Sequence, residues 1–296
     1  LLFCSIEIVS QEQSVEFTDF DVYQGFFSQE VLEKKIQRYL EKDSQIRNYY
    51  QLTNEAFYVG DLCADQIDYV LYLKQKKEKL LPEFEKRKSH AGLQGKKIAI
   101  DPGHFGGIYG ELEKRCVNIS PKETIQNQSM SVEEGTLTYL TALELKRLLE
   151  LEGAIVFLTR PAIGEGAIQK NFFDWLKEHP ELWITDDSLS KIFRTYYNRE
   201  DLRLRAKNIN DFAPDITIII HYNTHLTEEE KNLKFSITQS NYNLAFIPGA
   251  FGNKELNKKQ DRYEFLRLLL TEEFEDSLIL SKYLVRRFVD ELNIPL

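Results

Sequence analysis

The sequence predicts an α/β protein: a mixed, largely parallel sheet flanked by helices, with a smaller N-terminal α+β region that contains a helix. Three observations carry that expectation. Short β-branched runs at Lys97–Asp101, Ala154–Thr159 and Asp215–Ile220 alternate with helical periodicities at Glu134–Leu151 and Leu202–Asn210. Strands that are apolar throughout suit a sheet buried on both faces, and intervening helices suit parallel crossovers. The character of the chain also changes near Leu93, where aromatic and charge-rich sequence gives way to this alternation. The expected division is therefore residues 1–92 and 93–296.

Taken in order, the first nine residues, LLFCSIEIV, fit equally the tail of a removed signal sequence and an edge strand. From Ser28 to Asp43, apolar residues at Val31, Ile36, Tyr39 and Leu40 follow a Ser cap and predict an amphipathic helix. Ala56–Val59 and Tyr69–Leu73 are short, aromatic and β-branched, and predict strands. Lys74–Gly95 reads as a helix and a connector. The run Lys97–Asp101 ends at a Pro102-Gly103 turn, and Gly153 closes the long helix that starts at Glu134. Tyr242–Ile247 is a candidate fourth strand, and Leu278–Leu292 a final amphipathic helix.

Composition narrows the function. Hydrophobic residues make up 42% of 296, with 19 Phe and 15 Tyr, which is enough for a packed core and too much for general disorder. The 38 basic and 47 acidic side chains leave a charge of −9, a balance that repels phosphate backbones. Nucleic acid is not an expected partner, and the run Lys74–Lys79 reads as a solvated helix face. No stretch approaches the roughly 20 apolar residues of a membrane span. Cys4, Cys63 and Cys116 form no CxxC pair and no disulfide framework.

The chemistry gathers at strand ends. His104 follows the first strand of the second region through Pro102-Gly103, and His221 follows Asp215–Ile220 directly. Either histidine alone reads as a hydrogen-bonded turn residue. Two at equivalent strand ends would project at one edge if the strands are parallel and close together, an arrangement that suits a metal site. A carboxylate ligand is expected from the start of the long helix. There Glu134 lies one turn before Thr138 on the stripe Thr138, Thr141, Ala142, Leu145, Leu148 and Leu149. Glu133 aligns instead with Leu137, Leu140 and Glu144, and reads as a charge favoured at a helix N-terminus. His104, Glu134 and His221 make a His₂Glu set with a position left for water. Zinc held there acidifies water and polarises a carbonyl, which suits amide hydrolysis. No HExxH motif is present.

With these residues in place, the sequence resembles the zinc-dependent N-acetylmuramoyl-L-alanine amidase family. The matching elements are Asp101-Pro102-Gly103-His104 with Gly106 and Gly107; Glu134 opening a helix; Leu158-Thr159-Arg160 ending a strand; Leu202, Arg205 and Asn210 on a helix; and His221-Tyr222-Asn223. They occur in the family's order over about residues 96–292. The resemblance implies an α/β fold around a mixed sheet, one zinc ion, and cleavage of peptidoglycan between the lactyl group of muramic acid and L-alanine. It also implies an extracytoplasmic setting, periplasmic or cell-wall associated. The family's catalytic Glu lies on a strand after the helix matched by Leu278–Leu292, so it is expected beyond Leu296. Glu264, Glu272 and Glu273 read as solvated helix charges.

Asn223 is expected to support the site by hydrogen bonding, and Arg160 and Arg205 to brace the sheet through ion pairs. Glu111, Glu113 and Cys116, in the long loop after His104, are minor contenders for approaching the metal. His225 reads as a loop residue, and His90 and His179 as surface residues. One of the insertions Pro161–Arg199 and His225–Gln260 is expected to form a lid or wall over the cleft. Two alternatives stand beside the amidase: a catalytically inactive amidase-like module that binds or regulates the cell wall, and a hydrolase of the same fold acting on another amide.

Overall fold

The computed structural model describes residues 15–74, 92–119, 128, 130–222 and 242–294. The described residues fall into two compact units, one formed by 92–222 and the other by 15–74 together with 242–294.

The second of these opens on a 3-10 turn at Phe17–Tyr23, followed by α1 (Gln29–Lys35), which runs on into a wider π-type turn at Ile36–Leu40. It buries Leu32, Ile36 and Leu40, four residues apart, and leaves Val31 exposed. The apolar stripe therefore runs through Leu32 and not Val31. Strands β1 (Tyr50–Leu52), β2 (Ala56–Asp61) and β3 (Gln66–Tyr72) form an antiparallel sheet in that order.

The unit formed by 92–222 is laid out as β4 (Lys97–Pro102), α2 (Gly110–Glu113), β5 (Cys116–Ile119), β6 (Met130–Glu133), α3 (Glu134–Leu151), β7 (Ile155–Leu158), α4 (Phe172–Lys177), α5 (Leu189–Ile192), α6 (Asn198–Phe212) and β8 (Ile216–Ile220). Its central sheet has the order β7-β4-β8 and is parallel throughout, so the α/β expectation holds at this level. Side chains alternate across β4 as the pleat requires. Ile98 and Ile100 share a core with Ala142, Leu145 and Leu149 of α3. Lys97 and Asp101, on the other face, meet Phe212 and Arg205 of α6. A separate antiparallel pair, β5 and β6, leads directly into α3.

The insertion between β7 and α6 has its own aromatic core. Phe172, Trp175, Leu182, Phe193 and Tyr197 pack with Phe105 and Tyr109. Phe105, Phe172 and Phe193 are fully buried, and each such ring contributes about 1.5–3 kcal/mol by leaving water. This insertion, one of the two from which a lid or wall is expected, is anchored through the residue after His104.

The chain returns to the other unit with α7 (Lys259–Leu270) and α8 (Glu273–Leu292). Phe265, Leu266, Leu269 and Phe274 share one core with Phe17, Phe20, Leu32, Phe57 and Leu71. The division expected at Leu93 placed 242–296 with the parallel sheet, whereas residues 242–294 pack with the N-terminal region. An amphipathic period specifies a face to bury and does not specify which core receives it. Residues 242–247 carry no strand, in contrast to the fourth strand expected there. The expected helix at Lys74–Gly95 falls mainly, and the apolar first nine residues wholly, outside the described residues. No described helix is long and apolar enough to cross a membrane.

Candidate metal centre

Parallel pairing fixes the two histidines side by side. Pro102 at the end of β4 lies opposite Ile220 at the end of β8, and the Gly103 N–H donates to the Ile220 carbonyl at 2.9 Å. His104 and His221 follow at once, with ring centroids 5.0 Å apart. Position 103 must be glycine, because a Cβ there would lie 2.3 Å from His221 Cε1.

His104 itself adopts φ 59°, the left-handed region that a residue with a side chain rarely occupies. Such strain persists only where surrounding contacts enforce it. Here the chain beyond it must turn sharply so that Gly106 can meet the first turn of α3. Added Cβ atoms would lie 2.4 Å from Thr136 N at Gly106, and 2.2 Å from Gly106 N at Gly135. The helix start is thereby seated against the His104 loop.

That seating aims Glu134 inward. Its Oε2 lies 3.3 Å from His104 Nε2, and its Oε1 lies 3.0 Å from His221 Nδ1 while accepting the Tyr222 N–H at 3.0 Å. Glu133 faces elsewhere and accepts the Thr136 hydroxyl at 2.8 Å, as a helix-start residue does. Burial alone would push the Glu134 carboxyl up. The His221 hydrogen bond and the positive fields of His104, His221 and Arg115 outweigh it and hold the carboxyl below its ordinary value.

One atom from each of His104, Glu134 and His221 lies within 4.8 Å of the others. Two imidazole nitrogens and a carboxylate oxygen are the donor types that suit zinc. Ligand bonds of about 2.1 Å in a tetrahedron put donor atoms about 3.4 Å apart; each imidazole stands about that far from one oxygen of Glu134, His104 from Oε2 at 3.3 Å and His221 from Oε1 at 3.0 Å. The set fits a divalent ion. Side-chain exposure rises from 8% at Glu134 through 17% at His104 to 34% at His221, so the site opens to solvent on the His221 side.

The loop after His104 departs from its expected role. Glu113 is buried and meets His104 Nδ1 at 3.4 Å, on the far side of the ring from Glu134. Its other oxygen accepts the Phe105 N–H at 2.8 Å and the Gly106 N–H at 3.4 Å. Glu111 is exposed. Burial and the nearby Glu111 and Glu133 carboxylates push the Cys116 thiol up, which disfavours the thiolate a metal needs. Arg115 brings its Nη1 to 3.8 Å from Glu134 Oε2. Arg115 is a site residue that sequence reasoning missed, and Glu113 figures there only as a minor contender for approaching the metal, not as a partner of His104. Their only signal was proximity to the His104 motif.

Behind the ligands lies a buried charge network. Arg205 donates to Asp201 at 2.5 Å, and to Asp101 and the Pro102 carbonyl at 3.3 and 3.2 Å. Burial would lower its pKa, but Asp201 and Asp101 together raise it. Thr159 donates to the same Asp101 carboxylate. Arg160 makes no ion pair among the described residues. It donates to the Gly135 carbonyl at 3.0 Å and lies over the Tyr139 ring, so of the two arginines only Arg205 braces as expected. Burial, reinforced by repulsion from Arg205, pulls the Arg160 guanidinium down.

Among the other expected residues, Asn223, His90 and His225 lie outside the described residues. His179, expected at the surface, is half-buried and stacks on Trp175 at 3.9 Å at the edge of the insertion core. Glu264 and Glu273 pair with Arg267 in the other unit, consistent with solvated helix charges.

Comparison of the chain with protein families, curated proteins and solved structures finds no match.

Proposed function

We propose that the chain is a zinc-dependent hydrolase of amide bonds and, by the resemblance of its motifs, an N-acetylmuramoyl-L-alanine amidase that cuts peptidoglycan outside the cytoplasm. The observation that carries this reading is the convergence of His104, Glu134 and His221, residues from a strand end, a helix start and a second strand end. The order of the five motif elements supports the narrower choice of substrate.

A divalent ion bound there supplies Lewis acidity toward a carbonyl and toward water. The chain's own residues supply the rest. Glu134 faces both imidazoles and is itself fixed by the Tyr222 N–H, so the three donors keep one geometry. Glycines at 103, 106 and 135 allow the backbone approaches that bring the donors together. Arg115, beside Glu134 and 28% exposed, provides positive charge at the edge of the site where an amide oxygen or a stem-peptide carboxylate would gain it.

The test is metal analysis of the purified protein beside His104→Ala and Glu134→Gln, paired with digestion of purified sacculi. Wild type is expected to hold one zinc and to release peptides that begin with L-alanine, and both variants to lose zinc and turnover. Full zinc occupancy in both variants would contradict the ligand assignment. Released peptides with another N-terminus would remove the muramoyl-L-alanine bond as the target.

A further inference from the structure

We infer that Glu113 is a positioning residue of the metal centre, which holds His104 with its proton on Nδ1 and so presents Nε2 as the ligand nitrogen. The inference rests on the metal reading above and goes beyond it by assigning a residue outside the ligand set.

Three observations support it. Glu113 Oε1 lies 3.4 Å from His104 Nδ1, whereas Nε2 points the other way, 3.3 Å from Glu134 Oε2. A carboxylate only accepts, so the ring nitrogen that faces the buried Glu113 must be the donor. That leaves the opposite nitrogen with the lone pair a metal requires. Next, Glu113 is only 4% exposed, and its second oxygen is fixed by the N–H groups of Phe105 and Gly106. The carboxylate therefore cannot swing away without unmaking the turn it holds. Finally, that turn is the one that carries His104 at φ 59°. One side chain thus fixes the strained backbone of His104 and the orientation of its ring.

Glu113→Gln is the informative change. The glutamine oxygen replaces the acceptor for Phe105 and Gly106, which directs its NH₂ at His104 Nδ1. A donor facing that nitrogen favours the proton on Nε2, where it blocks ligation. The experiment measures zinc affinity by chelator competition, together with the imidazole nitrogen and N–H resonances of His104 in the zinc-loaded protein. The expected result is a wild type ligated through Nε2 with a downfield, exchange-protected Nδ1–H. In the variant, affinity should fall about 10- to 100-fold and the protected signal should disappear. A variant within twofold of wild type would overturn the inference. So would a loaded wild type ligated through Nδ1 or lacking the protected proton, and that measurement decides the matter even if the variant fails to fold. A wild type that binds no zinc would fail differently, removing the metal reading and the inference with it.

Discussion

The two units bury different things. The unit of 15–74 and 242–294 encloses a core of aromatic and aliphatic side chains, with one prominent buried ion pair, Arg262–Asp68 at 2.5 Å. The unit of 92–222 buries Asp101, Glu113, Glu134, Asp201, Arg160 and Arg205 within a single stretch of strand ends and helix starts. Ionised groups taken out of water cost several kcal/mol each unless paired, and a comparable apolar packing would often be as stable. The unit of 92–222 accepts less favourable burial and fixes His104, Glu134 and His221 beside it, a group that could hold a metal ion.

The widest separation between the two should come from removing each unit's buried arginine. Arg205→Met leaves Asp101 and Asp201 uncompensated, and Arg262→Met leaves Asp68 so. Each is expected to cost about 3–5 kcal/mol in urea unfolding. Only Arg205→Met should also weaken zinc binding, since Arg205 holds the strand end that carries His104. Equal zinc affinity in both variants would dissolve the contrast.

A similar or slightly smaller loss is expected for Phe105→Ala, which empties a fully buried site in the insertion core, about 3–5 kcal/mol by thermal or urea unfolding. Because Phe105 follows His104, zinc affinity should fall with it, whereas Leu266→Ala in the other core should lower stability and leave zinc affinity unchanged.

The smallest effect concerns pH in the metal-free protein. A carboxyl held below its ordinary value contributes stability that is complete above the unfolded-state pKa of about 4.3 and is lost as pH falls through the folded value. Glu134 is such a group. The stability difference between wild type and Glu134→Gln should therefore shrink as pH drops below about 4.3. A difference that stays constant across that range would mean that His221 and His104 do not hold the carboxylate as described.

Much of the unit of 92–222 is legible in the sequence. β4, α3 and β8 were visible as β-branched runs and a capped helical period, and His104, Glu134 and His221 follow from where those elements end. Other features were not legible. Glu113 lies on a four-residue helix whose sequence, GELE, resembles any solvated turn, and only the fold shows that it is buried. The period of Leu278–Leu292 marked a helix correctly, yet nothing local could say that 242–294 packs with 15–74 and not with the parallel sheet. Tyr242–Ile247 has the residues of a strand, but strand formation depends on a neighbour to pair with, which lies beyond any local window.

The hydrogen bond from the Gly103 N–H to the Ile220 carbonyl, with no room for a Cβ between Gly103 and the His221 ring, ties the spacing of the ligands to the register of the sheet. A slip of one residue between β4 and β8 would turn every side chain on the moving strand to the opposite face. It would also carry one imidazole away from the other. Chains paired in the wrong frame would thus lack the cluster, so an ion held by these three side chains would stabilise the correctly aligned sheet over the slipped one.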